Sequence, residues 1–455
     1  MAELYLGTAR ARLGPAAALV DVDRGAIAAC EENRLTRAVD SGTAGPPALS
    51  IEELLRFLGR QRIDISRSFG VGEEGDVDPH RAHAEYAHRA SGLDDPLVVV
   101  CGTDASAWLG TDAIPLEPHS SLTDEYGKLT ARLGFRATRD EHLVEALARG
   151  GHTDAASVQR RLGDALLKVL GDLQTRTKAN RICLSGGLFF NTYFTTLVAS
   201  SGMFEQTYVP PHPGRNGAAL GAALRGAAGA AGGPGTAAAS GAIGSPYLGP
   251  SYTDQEIKGT LENCKLSFDL LHDDRLFELV LHQLSRGRLV AWYHGRREWG
   301  PRALGHRSVL ADPFAPHVLE NLNGFLKRRP AFRAYGVSIP AARLRDFFET
   351  PHPGGLGAAA SPFMQFEYRP KDLDRFRTIL PPGVQTLRVH TVDESEPRML
   401  RLLEMWGEKN GIPVLVNTSF NGFHEPLVCS PRDAIRVFYG TGLDVLALEN
   451  FLLRK

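Results

Sequence analysis

The stretch GRREWGPRALGHRSVLADP, residues 295–313, gathers Arg296, Arg297, Arg302 and Arg307 among glycines and a proline, on a chain whose formal net charge is only −1. A guanidinium is a planar fork that matches phosphate or carboxylate oxygens two at a time. The chemistry this spacing suits is the holding of an anion; a solvated basic loop is the plain alternative. Two further stretches favour the anion. NGFLKRRPAFRAYG adds Lys327, Arg328, Arg329 and Arg333. VLVNTSFNGFHEP runs an apolar strand into the polar set Asn417, Thr418, Ser419 and Asn421. Open α/β sheets bind ligands at such strand ends, although a polar turn alone would read the same. Cations beside hydroxyl and amide groups predict a polyphosphate pocket.

Strands and helices in alternation must position these groups. ELYLGTA and AAALVDVDRGAIAACEEN read as strands and a hairpin turning at VDRG. SIEELLRFLGRQ has helical spacing, DPLVVVCGT is a short apolar strand, and ASVQRRLGDALLKVLGDLQTRT is a long amphipathic helix before the strand RICLSGG. Further on, LFELVLHQLSRGRLVAWYHG and RMLRLLEMWGEKNGIPVLVNTSFN each read as helix, glycine turn, strand. SPRDAIRVFYGTG opens a helix with Ser, Pro and Asp in the expected capping order, and DVLALENFLL is expected to be one closing strand. No internal repeat is visible. The small-residue run 226–246 reads as a linker, dividing the chain into a block of residues 1–225 and a block of residues 247–455. Two domains suit 455 residues.

With 43% hydrophobic and 23% charged residues, the composition is that of a globular protein. Lys and Arg are spread along the chain, so no nucleic acid or membrane is expected as partner. Cys30, Cys101, Cys183, Cys264 and Cys429 are scattered without CxxC spacing, which fits a reducing cytosol and neither a disulfide framework nor a zinc knuckle. The opening residues lack a signal-peptide core, and no apolar run reaches the ~20 residues of a membrane span. A cytoplasmic protein is expected.

YLGPSYTDQEI, GRREWGPRALGHRSVLADP, SPFM, GIPVLVNTSFN and EPLVCSPRDAIRVFYGTGLDVLAL stand in that order over residues 247–448. This series resembles the carbamoyltransferases of nodulation-factor and antibiotic biosynthesis, of the NodU, CmcH and TobZ type. The resemblance implies an α/β chain of two domains: an actin-like (ASKHA/RNase H-like) N-terminal domain and a YrdC-like C-terminal domain. It implies that the second domain cleaves carbamoyl phosphate and joins carbamate to ATP, with Mg expected, giving carbamoyl adenylate. The first domain would then pass the carbamoyl group to a hydroxyl, or an amine, of a small-molecule acceptor. The family's K-x-R and S-x-N sets are met by Lys327-Arg328-Arg329 and Ser419-Phe420-Asn421. The expected carbamoyl phosphate and ATP ligands are therefore Arg302, Arg307, Lys327, Arg329, Arg333, Arg388, Asn417, Ser419 and Asn421.

In the N-terminal block the frame is kept and its functional positions change. CEENRLTRAVD matches E-E-E-R-F-T-R, LSGGLFFN stands for A-G-G-x-x-x-N, and PHPGRNGAALGAAL for P-x-x-G-D-x-G-x-A-L-G-A-A. Gly186, Gly187, Asn191, Arg215 and Gly217 are the expected adenylate contacts. The early His-Asp pair falls at Leu13-Gly14, H-H-x-A-H becomes PHRAH with His80 and His83, and the aspartates become Cys101 and Arg215. The family's iron-type site is thus expected to be lost. His80, His83, His88 and Cys101 could supply nitrogen and sulfur ligands, but ordinary histidines and a buried thiol read equally well. The block is also shorter than the family's usual first half. Three readings follow: a divergent transferase; a catalytically incomplete homologue acting as a non-catalytic or half-reaction subunit, in a homodimer or a complex with a complete carbamoyltransferase or biosynthetic enzyme; or a related adenylate-dependent acyl transfer or condensation. In the second block H-x-D-G-T-x-R-x-Q keeps Thr386 and Arg388, with His390 at the Gln position.

Overall fold

The computed structural model of the chain describes residues 3–10, 14–38, 46–71, 77–102, 104–110, 112–116, 122–137, 140–230, 244–351 and 360–455. Two compact units divide it, one holding most of the chain up to Pro250 and the other Arg149–Gly151 with most of the chain from Ser251.

In the first unit LYLGTA, AAALVD and AIAACE form β1 (Leu4–Ala9), β2 (Ala16–Asp21) and β3 (Ala26–Glu31). β2 and β3 make the hairpin expected at VDRG, and β1 lies antiparallel to β2. β4 (Ile65–Val71) joins the other side of β1 in parallel, giving the order β3-β2-β1-β4. A second sheet repeats the scheme. β5 (Leu97–Cys101), β6 (Ala105–Leu109) and β7 (Asp112–Ile114) are successive antiparallel neighbours. β8 (Arg181–Ser185) is parallel to β5, and β9 (Gln206–Tyr208) is parallel to β8, in the order β7-β6-β5-β8-β9. This doubled arrangement is actin-like. The sequence shows no repeat because strand order and direction recur, not residues.

The helix Gly217–Ala230 packs on β1 and on the helix Pro79–Ser91. Its Ala/Gly composition makes the contact possible: a Cβ added at Gly221 would lie 1.8 Å from the carbonyl oxygen of Ala82. Here the linker reading is corrected at its start. Residues 226–230 are helical, because alanine is the best helix former and small side chains let two backbones touch. Residues 231–243 lie outside the described residues.

The second unit is built on a sheet of ten strands. They are β10 (Asp269–Leu270), β11 (Val290–Tyr293), β12 (Arg307–Ala311), β13 (Gly336–Pro340), β14 (Phe348–Glu349), β15 (Glu367–Pro370), β16 (Leu387–Val392), β17 (Leu415–Ser419), β18 (Val445–Leu448) and β19 (Phe451–Arg454). Their order is β10-β19-β18-β11-β12-β17-β13-β16-β15-β14. The helices Asp273–Leu284 and Pro397–Asn410 bury Leu276, Val280, Leu402 and Trp406 in one core with Trp292, Leu310 and Leu415 of the sheet. The helix Pro431–Gly440 opens on the expected capping box of Ser430 and Asp433.

DVLALENFLL is a hairpin, not one strand: β18 and β19 pair antiparallel, with Leu448 opposite Phe451. The chain reverses at Glu449, which takes φ 50. Its carboxylate accepts the Gly295 N–H at 2.6 Å and lies 2.7 Å from His294 Nδ1, a long-range anchor that an apolar run does not disclose. No helix among the described residues is long and apolar enough to cross a membrane.

Gly221→Ala is expected to force the two helices apart and to destabilise by about 1–3 kcal/mol, the usual range of overpacking. Thermal unfolding of the variant measures this; a Tm equal to the parent's would show that the close approach is not needed.

Candidate functional site

Side chains alternate along a strand, so Asn417 and Ser419 share one face of β17. The turn Asn321–Lys327 that approaches them is a π-helix, ended by Arg328 in the left-handed region at φ 45. Such wide turns are rare and frequent at functional sites. Lys327 is only 8% exposed. Its Nζ donates to the carbonyl and Oγ of Ser419, and to Oδ1 (2.6 Å) and the carbonyl of Asn421. Ser419 Oγ donates to Asn421 Oδ1 at 2.7 Å, and Asn421 Nδ2 to the Glu425 carbonyl at 2.5 Å. The K-x-R and S-x-N pieces thus meet in one cluster.

No carboxylate pairs with Lys327 among the described residues. Burial first, then the charges of Arg329 and Arg333, hold its pKa well below the usual lysine value. Arg329 lies over the Tyr335 ring, its Cζ 3.6 Å from the centroid, and donates to Asn323 Oδ1 and the carbonyls of Arg333 and Ala334. Burial pulls its pKa down to about 9; Tyr335 opposes this, and Arg333 and Arg388 add to it. Lys327 and Arg329 therefore lie side by side with their hydrogen bonds directed at neutral oxygens. A buried charge left uncompensated is costly, so the arrangement can stabilise an anion.

The arginine-rich loop does something else. Arg307 is fully buried, its Cζ 3.5 Å from the centroid of Tyr293. It donates to the carbonyls of His294 (2.6 Å), His306 (2.9 Å) and Gly295 (3.0 Å). These bonds tie Arg307 to the loop, while its Nε is buried with no hydrogen-bond partner among the described residues. Arg297 is likewise buried, donating to Cys429 Sγ at 3.3 Å. Arg302 is half-buried and donates to the Phe363 carbonyl at 3.0 Å.

Sequence reasoning passed over Glu298, the one acid among those arginines. Its Oε1 accepts the backbone N–H groups of Leu304, His306 and Arg307, each at 2.9 Å. Burial pushes this carboxyl up, but His306, Arg307 and those N–H groups outweigh it, and its pKa falls below the ordinary value. His306 is fixed in turn by the Arg296 carbonyl and Glu396 Oε2, each at 2.5 Å.

Asn417 Nδ2 donates to Ser338 Oγ at 2.9 Å, and Ser338 Oγ lies 3.0 Å from His390 Nδ1. Burial holds His390 neutral, its pKa brought down to about 3.

In the first unit the glycine turn keeps its shape. Gly186 has φ +100, and a Cβ there would lie 2.1 Å from the Cys101 carbonyl oxygen. At Gly217 it would lie 2.1 Å from the His212 carbonyl oxygen, whereas Gly187 is exposed with open space beside it. Asn191 is already engaged. It caps the helix Thr192–Ser200 by accepting from Tyr193 N–H, and its Nδ2 donates to Tyr126 Oη and Gln159 Oε1. Arg215 is exposed, close enough for its charge to act on His83.

The residues weighed as metal ligands do not fit one. His80 Nδ1 lies 2.8 Å from Ser106 Oγ and His83 Nδ1 3.2 Å from Ser185 Oγ, so the two rings serve different serines. His88 lies half-buried further along their helix. Burial pushes the Cys101 thiol up to about 12, which keeps it protonated and a poor ligand. No three His, Cys, Asp or Glu side chains converge among the described residues, and no step through a metal is derived.

Two family models match the chain: the carbamoyltransferase N-terminus over residues 136–224 and the carbamoyltransferase C-terminus over residues 281–455. The chain belongs to the carbamoyltransferase family. An uncharacterized protein of Synechocystis sp. is 32% identical, aligned over 66% of this chain and 52% of its own length. Nodulation protein NolO of Bradyrhizobium diazoefficiens is 31% identical over 67% of this chain and 55% of its own. The 3'-hydroxymethylcephem-O-carbamoyltransferase of Amycolatopsis lactamdurans is 30% identical over 59% of this chain and 47% of its own. The chain spans about half the length of these relatives.

A pH dependence follows from Lys327. An anion at the site raises the lysine's depressed pKa. Between the two values binding takes up a proton, and affinity falls as pH rises by up to about tenfold per unit. Calorimetry with pyrophosphate in buffers of different ionisation enthalpy reads that uptake. Binding without proton uptake would show Lys327 already charged in the free site.

Proposed function

We propose that the chain is a carbamoyltransferase that makes carbamoyl adenylate from carbamoyl phosphate and ATP. It then passes the carbamoyl group to a hydroxyl, or an amine, of a small molecule in natural-product biosynthesis. The observation that carries this reading is Lys327: a buried amine held by Ser419 and Asn421, beside Arg329, with no acid among the described residues to pair with its charged form. Phosphate oxygens would supply that missing charge.

Phosphate leaves carbamoyl phosphate as water attacks, giving carbamate. A carbamate oxygen then attacks the α-phosphorus of ATP while the bond to pyrophosphate breaks. Lys327 and Arg329 stabilise the charge that shifts between these oxygens, and Arg302, Arg333 and Arg388 add to the field. Mg is expected to accompany ATP. Gly187 offers backbone to the adenylate, Gly186 shapes the turn with its N–H on the Pro213 carbonyl at 2.7 Å, Gly217 sets the neighbouring turn, and Arg215 is a cation near it. The acceptor oxygen then bonds to the carbamoyl carbon, its proton is released, and AMP leaves. The cephem carbamoyltransferase among the relatives, named for a hydroxymethyl group, supports a hydroxyl acceptor.

A second reading has specific support. Cys101 and Arg215 stand where the family has aspartates, and Asn191 is occupied as a helix cap. These features favour a chain that performs only the first half-reaction and works in a homodimer or with a complete carbamoyltransferase.

Pyrophosphate release from ATP, with and without carbamoyl phosphate, tests the proposal. Release that depends on carbamoyl phosphate is expected, and Lys327→Ala or Ser419→Ala should lower it about a hundredfold or more, the scale seen when one charge-stabilising donor is removed. Full turnover in both variants would remove the site assignment. No release from folded protein would remove both readings and leave a non-catalytic subunit in their place.

A further inference from the structure

One polar atom beside Lys327 has no role in that scheme. The side-chain amide of Asn417 is oriented by its Nδ2, which donates to Ser338 Oγ at 2.9 Å. The Ser338 hydroxyl then has its proton free for His390 Nδ1 at 3.0 Å. All three side chains are buried, at 2%, 0% and 2% exposed for Asn417, Ser338 and His390. This chain of donors leaves Asn417 Oδ1 buried, with no hydrogen-bond partner among the described residues. It sits on the strand face of Ser419, two residues from the hydroxyl that Lys327 contacts.

The same patch holds a second acceptor. Glu298 Oε2 is buried and has no partner among the described residues, while Oε1 takes three N–H groups. Glu298 Oε1 accepts the N–H of Arg307, the first residue of β12, and β12 pairs with β17 so that Leu310 lies opposite Asn417. A buried acceptor left without a donor costs about 1–3 kcal/mol. So the region offers two unlike surfaces, donors and cations at Lys327 and Arg329 and bare acceptors at Asn417 and Glu298.

Carbamoyl phosphate has both complements. Its phosphate accepts, and its amide –NH2 carries two N–H donors. Acetyl phosphate has the same phosphate and carbonyl but a methyl group where the –NH2 stands. We propose that Asn417 Oδ1 accepts an N–H of the carbamoyl group, and that this contact makes the pocket choose carbamoyl phosphate over acetyl phosphate. The inference rests on the proposed function and adds which atom reads the transferred group. A methyl group would leave Oδ1 unpartnered, and sites built to bond an N–H reject analogues lacking it strongly.

Calorimetric titration of the full chain with carbamoyl phosphate, acetyl phosphate and inorganic phosphate tests it. Carbamoyl phosphate is expected to bind at least about tenfold tighter than acetyl phosphate, a conservative bound on the loss of one buried hydrogen bond. Asn417→Leu should bring that ratio close to one while acetyl phosphate affinity stays within about twofold, the contact to the methyl group being unspecific. Asn417→Asp, which keeps an acceptor at the same atom, should retain the preference, and it stands in if the leucine variant does not fold. Equal binding of the two acyl phosphates by the parent, or an undiminished ratio in Asn417→Leu, or a lost ratio in Asn417→Asp, would overturn the inference and leave the anion site standing. Failure of all three ligands to bind would remove the anion site itself, and this inference with it.

Discussion

A lysine ammonium buried against neutral oxygens is the constraint around which the second unit's site is arranged. Desolvating such a charge costs several kcal/mol unless an opposite charge meets it. The chain meets Lys327 with Ser419 and Asn421 instead of an acid. An internal carboxylate would have satisfied the lysine permanently and competed with any incoming anion. Amide and hydroxyl oxygens orient the ammonium without cancelling its charge. The supporting parts follow from that choice. The π-helical turn carries Lys327 inward, and Tyr335, its hydroxyl donating to Asn323 Oδ1 at 2.7 Å, holds the Arg329 guanidinium flat against its ring.

The arginine-rich loop shows the opposite solution. Its charges are balanced internally: Glu298 against three backbone N–H groups and the fields of His306 and Arg307, and Arg307 against three carbonyls. The result is a rigid strand entry. β12 begins at Arg307, and Ser308, the next residue, lies opposite Ser419 across the β12–β17 ladder. The loop therefore acts on the site by fixing the strand beside it. Both terminal nitrogens of Arg307 are directed at carbonyls, and its Nε is not.

Much of this was legible in the sequence, and the reasons for the misses are physical. Elements with strong local signals stood where periodicity and capping put them, such as β5, β8, β17, the helix Thr153–Thr177 and the Ser430 capping box. The meeting of Lys327 with Ser419 and Asn421 followed from motif resemblance, since nothing local joins residues so far apart in the chain. What escaped was whatever depends on direction or on long-range contact. The sequence counts guanidinium groups but does not say which way Arg307 points. It shows leucines around Glu449 but not the Gly295 N–H and His294 that turn the chain there. Alanine and glycine after residue 225 read as flexibility until the Ala82 backbone is placed against Gly221. Strand order, which repeats between the two sheets of the first unit, leaves no trace in residue identity.

The first unit handles charge differently again. His83 and His212 are both buried, and burial brings their pKa values down to about 3 and about 4. Neutral imidazoles of this kind accept or donate hydrogen bonds, as His83 does with Ser185 Oγ, without adding charge. The cation near His83 is then Arg215, which is exposed. A guanidinium differs from an aspartate at this place in what it can attract: it favours an anion and repels the cations a carboxylate would hold. The turn geometry around it is preserved, since Gly186 and Gly217 still allow the Cys101 and His212 carbonyls to pass within a Cβ radius. Gly186 and Gly217 give their own N–H groups to the Pro213 and Gly214 carbonyls at 2.7 and 2.8 Å, so the charge beside this turn is the guanidinium of Arg215.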